Sequence, residues 1–409
     1  MLNALLAVTA LSPVQKSVDV PFRLVENAII ADAVVNGRNV SCMFDTGFSG
    51  SFVLDTAVNV GAPTGSMMLR DFVGQFEAPT VKIKTLTMGG AKVRPDGMQV
   101  VQQPNRGMSQ SYNTHTVGIM GLEVMRDYVL EINFEKSKFV FHPKSFDFTG
   151  WKPDNKKTFM PSLLLKGGSS VELVCKTANG KKLVLALDTG NAFYATTHKD
   201  VLERVGIWKP GQPVKFMSSA QVASGPVDSW YMHMEDMSIY GVPVKSSIWS
   251  IIDAPSSSAD HDGTVGFGFL KNFNILIDME RRRVWLDNFA GKVSDAPKAE
   301  VGINAFYDEE SKKFLIWRVA PNGPAEAAGI KRGDALLSVN GEELLNVGAR
   351  KVADMMEGDL DSKVQLVISR NGTIMRMEVK RKYLFNGRIP QPAPAIETVP
   401  ASGAGFLGL

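Results

Sequence analysis

Residues 41–54 read SCMFDTGFSGSFVL and residues 183–198 read LVLALDTGNAFYATTH. Both carry Asp-Thr-Gly at the end of an apolar run, 143 residues apart. One copy means little, because a given tripeptide arises by chance in roughly one chain of this length in ten. Two copies ending alike need a cause, and the flanking sequence supplies one. Asn36-Gly37 lies nine residues before Asp45, and Asn179-Gly180 lies nine before Asp188. Asn-Gly between alternating apolar runs marks a hairpin turn, since both residues tolerate positive φ. Each triplet is therefore expected to end the second strand of a hairpin.

A second match lies downstream. GIMGLEVMRDYVLEINFEKSKFVF, from Gly118, aligns without a gap over 24 residues with GTVGFGFLKNFNILIDMERRRVWL, from Gly263. Gly121 meets Gly266, Ile132 meets Ile277, Glu135 meets Glu280, and basic Arg126 meets Lys271. The two offsets, 143 and 145 residues, nearly agree, so the repeat spans whole lobes. Each lobe reads as hairpin, Asp-Thr-Gly, several strands, an apolar-apolar-Gly strand and a closing hairpin. The boundaries fall at 18–148 and 157–290, with the polar FTGWKPDNKKT between them and AGKVSDAPKAE as a linker after the second.

Bulk properties narrow the function. The 409 residues are 44% hydrophobic and 21% charged, with a formal net charge of +3. That charge gives no reason to expect nucleic acid, which needs a concentrated basic face. Arg281-Arg282-Arg283 is the densest basic run and reads as a solvated turn. Two cysteines, Cys42 and Cys175, exclude a disulfide scaffold and a cysteine-based zinc site, and read as unpaired buried thiols. The five histidines show no metal-ligand spacing, so no metal and no cofactor is expected, and each reads as a surface or loop residue. No apolar run reaches the length of a membrane span. Residues 1–17 form a leader with an apolar core but no basic start, which leans toward export to a periplasmic or extracellular space.

The paired motifs resemble the aspartic peptidases, of both the bilobal pepsin type and the retropepsin-like type. The resemblance rests on FDTG with GIMGL and LDTG with GTVGF, and covers both lobes. It implies a mainly β protein whose duplicated lobes are pepsin- or retropepsin-like β-barrels. It also implies a catalytic pair, Asp45 and Asp188, sharing one proton. Thr46 and Thr189 would cross to the opposite loop, Gly47 and Gly190 would admit backbone N–H groups near the carboxylates, and Gly121 and Gly266 would belong to the strands beneath. The implied activity is aspartic-type endopeptidase cleavage through a water activated by the pair. Carrying both acids in one chain, the protein would be monomeric for catalysis, with a peptide or protein as substrate. Two residues depart from the family pattern. Phe48 is bulky beside the pair, and Asn191 is placed to donate a hydrogen bond to it. The flap is expected within residues 64–80.

From residue 298 the style changes. NGPAEAAGIKRGDALLSVNGEEL, residues 322–344, makes residues 298–385 resemble a PDZ domain, a small β/α unit. Such domains bind an extended peptide, usually a carboxy-terminus, by strand addition. The resemblance places the carboxylate loop at Val301-Gly302-Ile303-Asn304, and sets Gly348 and Val352 on the helix facing the peptide. Residues 386–409, rich in Pro, Ala and Gly, read as a disordered tail. A second functional reading stays open: a catalytically silent peptide-binding or scaffold protein on the same fold.

Overall fold

The computed structural model describes residues 16–70, 75–104, 108–164, 170–222, 225–256 and 262–388. The described chain is mainly β, and its longest helix, Ala349–Met356, has eight residues. In the first half, Ala28–Val35 and Arg38–Asp45 form the expected hairpin. Its turn is Asn36-Gly37, with φ of 48° and 78°, the positive values that a two-residue turn between right-twisted strands requires. In the second half the hairpin is Glu172–Lys176 with Lys182–Leu187, and Lys176 pairs Lys182. The turn there is the longer loop 177–181, closed by the Thr177 N–H donating to the Lys181 carbonyl at 2.9 Å. The shared Asn-Gly signal thus marks two different turns.

The apolar-Gly strands explain why the triplets hold still. Gly118–Gly121 lies parallel to Arg38–Asp45 and antiparallel to Phe52–Leu54, so it threads between the strands on either side of the first triplet. Gly263–Val265 does the same between Lys182–Leu187 and Ala195–His198. The hairpin Gly65–Arg70 with Gln75–Lys82 stands where the flap was expected. In the second half the hairpin Met217–Val222 with Gly225–Ile239 takes the corresponding place in the strand order.

A six-stranded sheet joins the halves. At its centre Val129–Asn133 pairs antiparallel with Asn274–Asp278, Leu130 opposite Ile277 and Ile132 opposite Ile275. One continuous core runs beneath both halves and includes Phe44, Phe139, Leu187 and Ile277. The outer face of the sheet is covered by the segment read as a polar connector. Phe148 is fully buried there, and Trp151 meets the Trp285 ring edge-on at 5.1 Å. The two aromatic residues of FTGWKPDNKKT, Phe148 and Trp151, and not its charged ones, decide its place.

The C-terminal unit has its own sheet, in which Ile303–Asp308 forms one edge, and its own core around Phe314, Leu336, Val352 and Ile368. The preceding linker is tied down, since Ala299 bridges Gly358 and Glu300 bridges Lys382. The reading of residues 386–409 as a disordered tail is corrected at its start. Phe385–Asn386 pairs parallel with Tyr231–Met232, and the Arg388 carbonyl lies 2.7 Å from His233 Nδ1. The rest of that segment, 389–409, and residues 1–15 of the leader lie outside the described residues. Three histidines expected near the surface, His142, His198 and His233, are buried, held respectively by Glu131, the Ala254 carbonyl and Ser246.

Because one sheet and one core span both halves, Ile277→Ala is expected to cost about 2–5 kcal/mol. Both halves should unfold in one step, seen as coincident urea transitions by tryptophan fluorescence and circular dichroism.

Candidate functional site

The two Asp-Thr-Gly loops meet back to back. The Thr46 hydroxyl donates to the Leu187 carbonyl at 2.7 Å, and the Thr189 hydroxyl donates to the Phe44 carbonyl at 2.9 Å. Each hydroxyl also accepts the other threonine's backbone N–H, at 3.1 and 2.9 Å. Both threonines are buried, so these four bonds exchange with no water. A β-branched side chain with a single preferred rotamer suits a contact that must be made from both sides at once.

This crossing presses each carboxyl over the opposite loop's glycine. A Cβ on Gly190 would lie 2.4 Å from Asp45 Cγ, and one on Gly47 would lie 2.7 Å from Asp188 Cγ. Each carboxylate also accepts from its own loop. Gly47 and Phe48 N–H groups donate to Asp45 Oδ1 at 2.7 and 3.2 Å, and Gly190 and Asn191 donate to Asp188 Oδ1 at 2.9 and 3.0 Å. The two side chains are hydrogen-bonded to each other.

Burial raises both carboxyls above the ordinary aspartate value. For Asp45 the bond from Asp188 and the loop N–H groups pull back against burial. For Asp188 the charge of Asp45 adds to burial, and its carboxyl stands well above the usual range. The pair therefore shares one proton and titrates as a unit. A neutral donor beside an ionised acceptor can give and take a proton in one place.

Phe48 and Asn191 have an explanation that the sequence did not reveal. Phe48 packs against the cluster of Val53, Ala78 and Val101, and so do Ile119, which faces Val53 across paired strands, and Leu69 and Phe76 of the hairpin. The corresponding strand pair in the second half is Thr196 and Thr264. There the Asn191 amide donates to both hydroxyls, at 2.9 and 2.8 Å. An apolar trio in one half is matched by a polar trio in the other. The expected hydrogen bond from the Asn191 side chain to the carboxyl pair is thus corrected: the amide points at the strand beneath. Gly121 and Gly266 leave room for these arrangements, since a Cβ would lie 2.4 Å from the Phe48 carbonyl in one case and 2.5 Å from the Asn191 carbonyl in the other.

By sequence Tyr112, the sole tyrosine between Asp45 and Gly118, lies too close to the Gly118 strand to sit at a flap tip. It packs against Ala28, Ile30 and Met43, and its hydroxyl is pushed up to about 12, chiefly by burial and further by the charge of Asp45. Among the described residues no cluster of side chains is arranged to hold a metal ion, and no helix is long and apolar enough to cross a membrane.

The residues expected to form the peptide groove are close together but do not line an open channel. Val352 is buried in the C-terminal core. Gly348 faces the first half, where a Cβ would meet Asn113 at 3.0 Å and Glu26 at 3.1 Å. Gly302 holds φ of 81° against Ala320 and Leu384, and Asn304 accepts from the Ser218 hydroxyl at 2.9 Å.

Comparison with known proteins defines the C-terminal unit first. Residues 316–370 match the PDZ domain family, so the chain carries a PDZ domain. A curated relative is the chloroplastic C-terminal processing peptidase of Tetradesmus obliquus, 36% identical over 73 residues. The match covers 18% of this chain and 16% of that protein. Among solved structures, a photosystem II D1 C-terminal processing protease is 28% identical over 22% of this chain and 25% of its own, with a TM-score of 0.21. The aspartic proteinase of Irpex lacteus aligns over 68% of this chain and all of its own, at 12% identity and a TM-score of 0.40. These findings correct the function expected from the paired triplets. The peptidase to which the sequence is related is a C-terminal processing peptidase, and the assignment as an aspartic-type endopeptidase is withdrawn.

Two outcomes follow from the site. Asn191→Ala leaves two buried hydroxyls without their donor and is expected to cost about 1–3 kcal/mol by urea denaturation. Folding raises the Asp188 pKa, so the native state keeps a proton that the unfolded chain loses above its ordinary 3.8. The stability from this proton is complete below that value and fades as pH climbs through the raised one. Asp188→Asn should therefore exceed the wild type in urea midpoint at pH 7, with the difference shrinking toward pH 4.

Proposed function

We propose that the chain is a peptidase whose PDZ domain engages a peptide or protein substrate. The relationship to a C-terminal processing peptidase and the PDZ match support the class. We assign the acid–base chemistry to Asp45 and Asp188, with Thr46, Gly47, Thr189, Gly190, Gly121 and Gly266 holding them in place. The observation that carries this assignment is the meeting of two carboxyls on loops locked by reciprocal threonine bonds. Keeping two acids buried side by side costs stability, and such arrangements concentrate at functional sites.

We infer that residues 18–148 and 157–290 are duplicated lobes of one β-barrel design, followed by the PDZ unit at 298–385. The gap-free repeat and the matched strand pairings support this. On this reading the site is complete within a single chain. The export reading rests on the leader sequence.

The test uses full-length protein with unfolded casein and a peptide pool, followed by mass spectrometry across a range of pH. Wild type is expected to cleave, and Asp45→Asn and Asp188→Asn each to lose about 10²–10⁴-fold in turnover. Undiminished cleavage by both variants would reject the assigned residues. Binding of the pool without cleavage by the wild type would favour the silent peptide-binding reading.

A further inference from the structure

The PDZ domain does not hang free. Its edge strand Ile303–Asp308, the edge to which a peptide strand would add, lies against Met217–Val222 of the second-half hairpin. The Ser218 hydroxyl donates to Asn304 Oδ1 at 2.9 Å, within the carboxylate loop. Asp228, on the partner strand of that hairpin, forms an ion pair with Arg318 on the neighbouring PDZ strand. What remains between Met217, Ser218, Tyr231, Gly302, Asn304 and Ala320 is a cavity of about 10 Å³. That is room for roughly one water and not for a peptide carboxylate with its side chain. The opposite end of the groove meets the first half, where Gln110 Nε2 donates to the Val347 carbonyl at 2.8 Å.

We propose that the PDZ groove is occupied in the resting chain by two strands of its own second half, Met217–Val222 and the paired start of Gly225–Ile239, and that an extended peptide binds by displacing them. The inference rests on the PDZ reading and not on the roles given to Asp45 and Asp188. Three features single out this occupant. The hairpin touches the carboxylate loop by a side-chain hydrogen bond, it carries the charge complementary to Arg318, and it reduces the loop's pocket to a remnant. The same hairpin also touches Phe193, next to the Asp188 loop. Tyr231 meets the Phe193 ring at 6.0 Å, and the Phe193 N–H donates to Asn191 Oδ1 on the Asp188 loop. Displacement at the PDZ domain would thereby loosen a support of that loop.

The experiment reads docking directly and needs no turnover. Hydrogen–deuterium exchange is followed over residues 217–222 and 303–308 in full-length wild type, Arg318→Asp, and the double variant Asp228→Arg with Arg318→Asp. Binding of a pool of synthetic nonapeptides with apolar last residues and free carboxy-termini is measured in parallel. Arg318→Asp is expected to speed exchange in both segments and to tighten peptide binding several-fold, with the charge-swapped double variant restored to wild-type values. Added peptide should speed exchange over residues 217–222 of the wild type while slowing it over 303–308. Ser218→Ala provides a milder variant that should shift both readouts in the same direction. Equal exchange in wild type and Arg318→Asp would overturn the proposal. So would peptide binding that leaves residues 217–222 unchanged. Loss of turnover in Asp45→Asn with normal peptide-driven exchange, or the reverse, tells the two readings apart.

Discussion

Everything in the N-terminal 290 residues is organised around a crossing of two threonines. Thr46 and Thr189 each give a hydroxyl proton to the other half's chain and accept an N–H in return. In the buried interior these bonds face no competition from water, and breaking one leaves its partner unsatisfied. The crossing fixes the separation of the loops, and the loops fix the carboxyls. With Asp45 and Asp188 in contact, ionising both is unfavourable, and a shared proton follows from proximity and burial. Gly47 and Gly190 are required by the same closeness, since a Cβ on either would enter the opposite carboxyl.

Corresponding strand pairings flank this crossing, but the side chains on them differ. The central pairing sets Leu130 against Ile277 and Ile132 against Ile275, so each contact has its counterpart. One step from the carboxyls the likeness ends, with Phe48, Val53 and Ile119 on one side and Asn191, Thr196 and Thr264 on the other. Both trios do the same mechanical job of seating a loop on the strand pair beneath it. Dispersion achieves it in the first half and hydrogen bonding in the second, and each works only as a complete set. The two acids consequently sit above different surroundings.

The PDZ domain adds a second use for the fold's hairpins. In the first half Leu69 and Phe76 of the hairpin share with Phe48 the cluster of Val53, Ala78 and Val101. In the second half the corresponding hairpin is shared between Phe193 and Asn304 of the PDZ unit. A strand edge with free backbone groups is a hazard unless it is covered. At the start of the edge Ile303–Asp308 the Ser218 hydroxyl bonds Asn304, while Phe306 further along stays exposed. The relationship to a C-terminal processing peptidase concerns 18% of the chain, so the remainder has to be understood from its own residues.

The repeat was legible because it is written in residues with few alternatives: Asn-Gly for a positive-φ turn, Asp-Thr-Gly for a loop that meets its twin, and Gly121 and Gly266 where carbonyls crowd. The strand-rich halves, the paired acids and the PDZ domain could all be read from such positions. Their partners could not. Nothing local tells Asn191 to turn from the carboxyl pair to Thr264, 73 residues on, or Trp151 to seal a sheet edge-on to Trp285. Nor does the PDZ segment reveal that Asn304 would meet Ser218. The amino-acid order by itself determined which loops and turns could form, because those depend on steric limits within a few residues. Only the tertiary structure decided what each polar group would bond and which groove would stay open, because those outcomes depend on which distant surfaces are buried together.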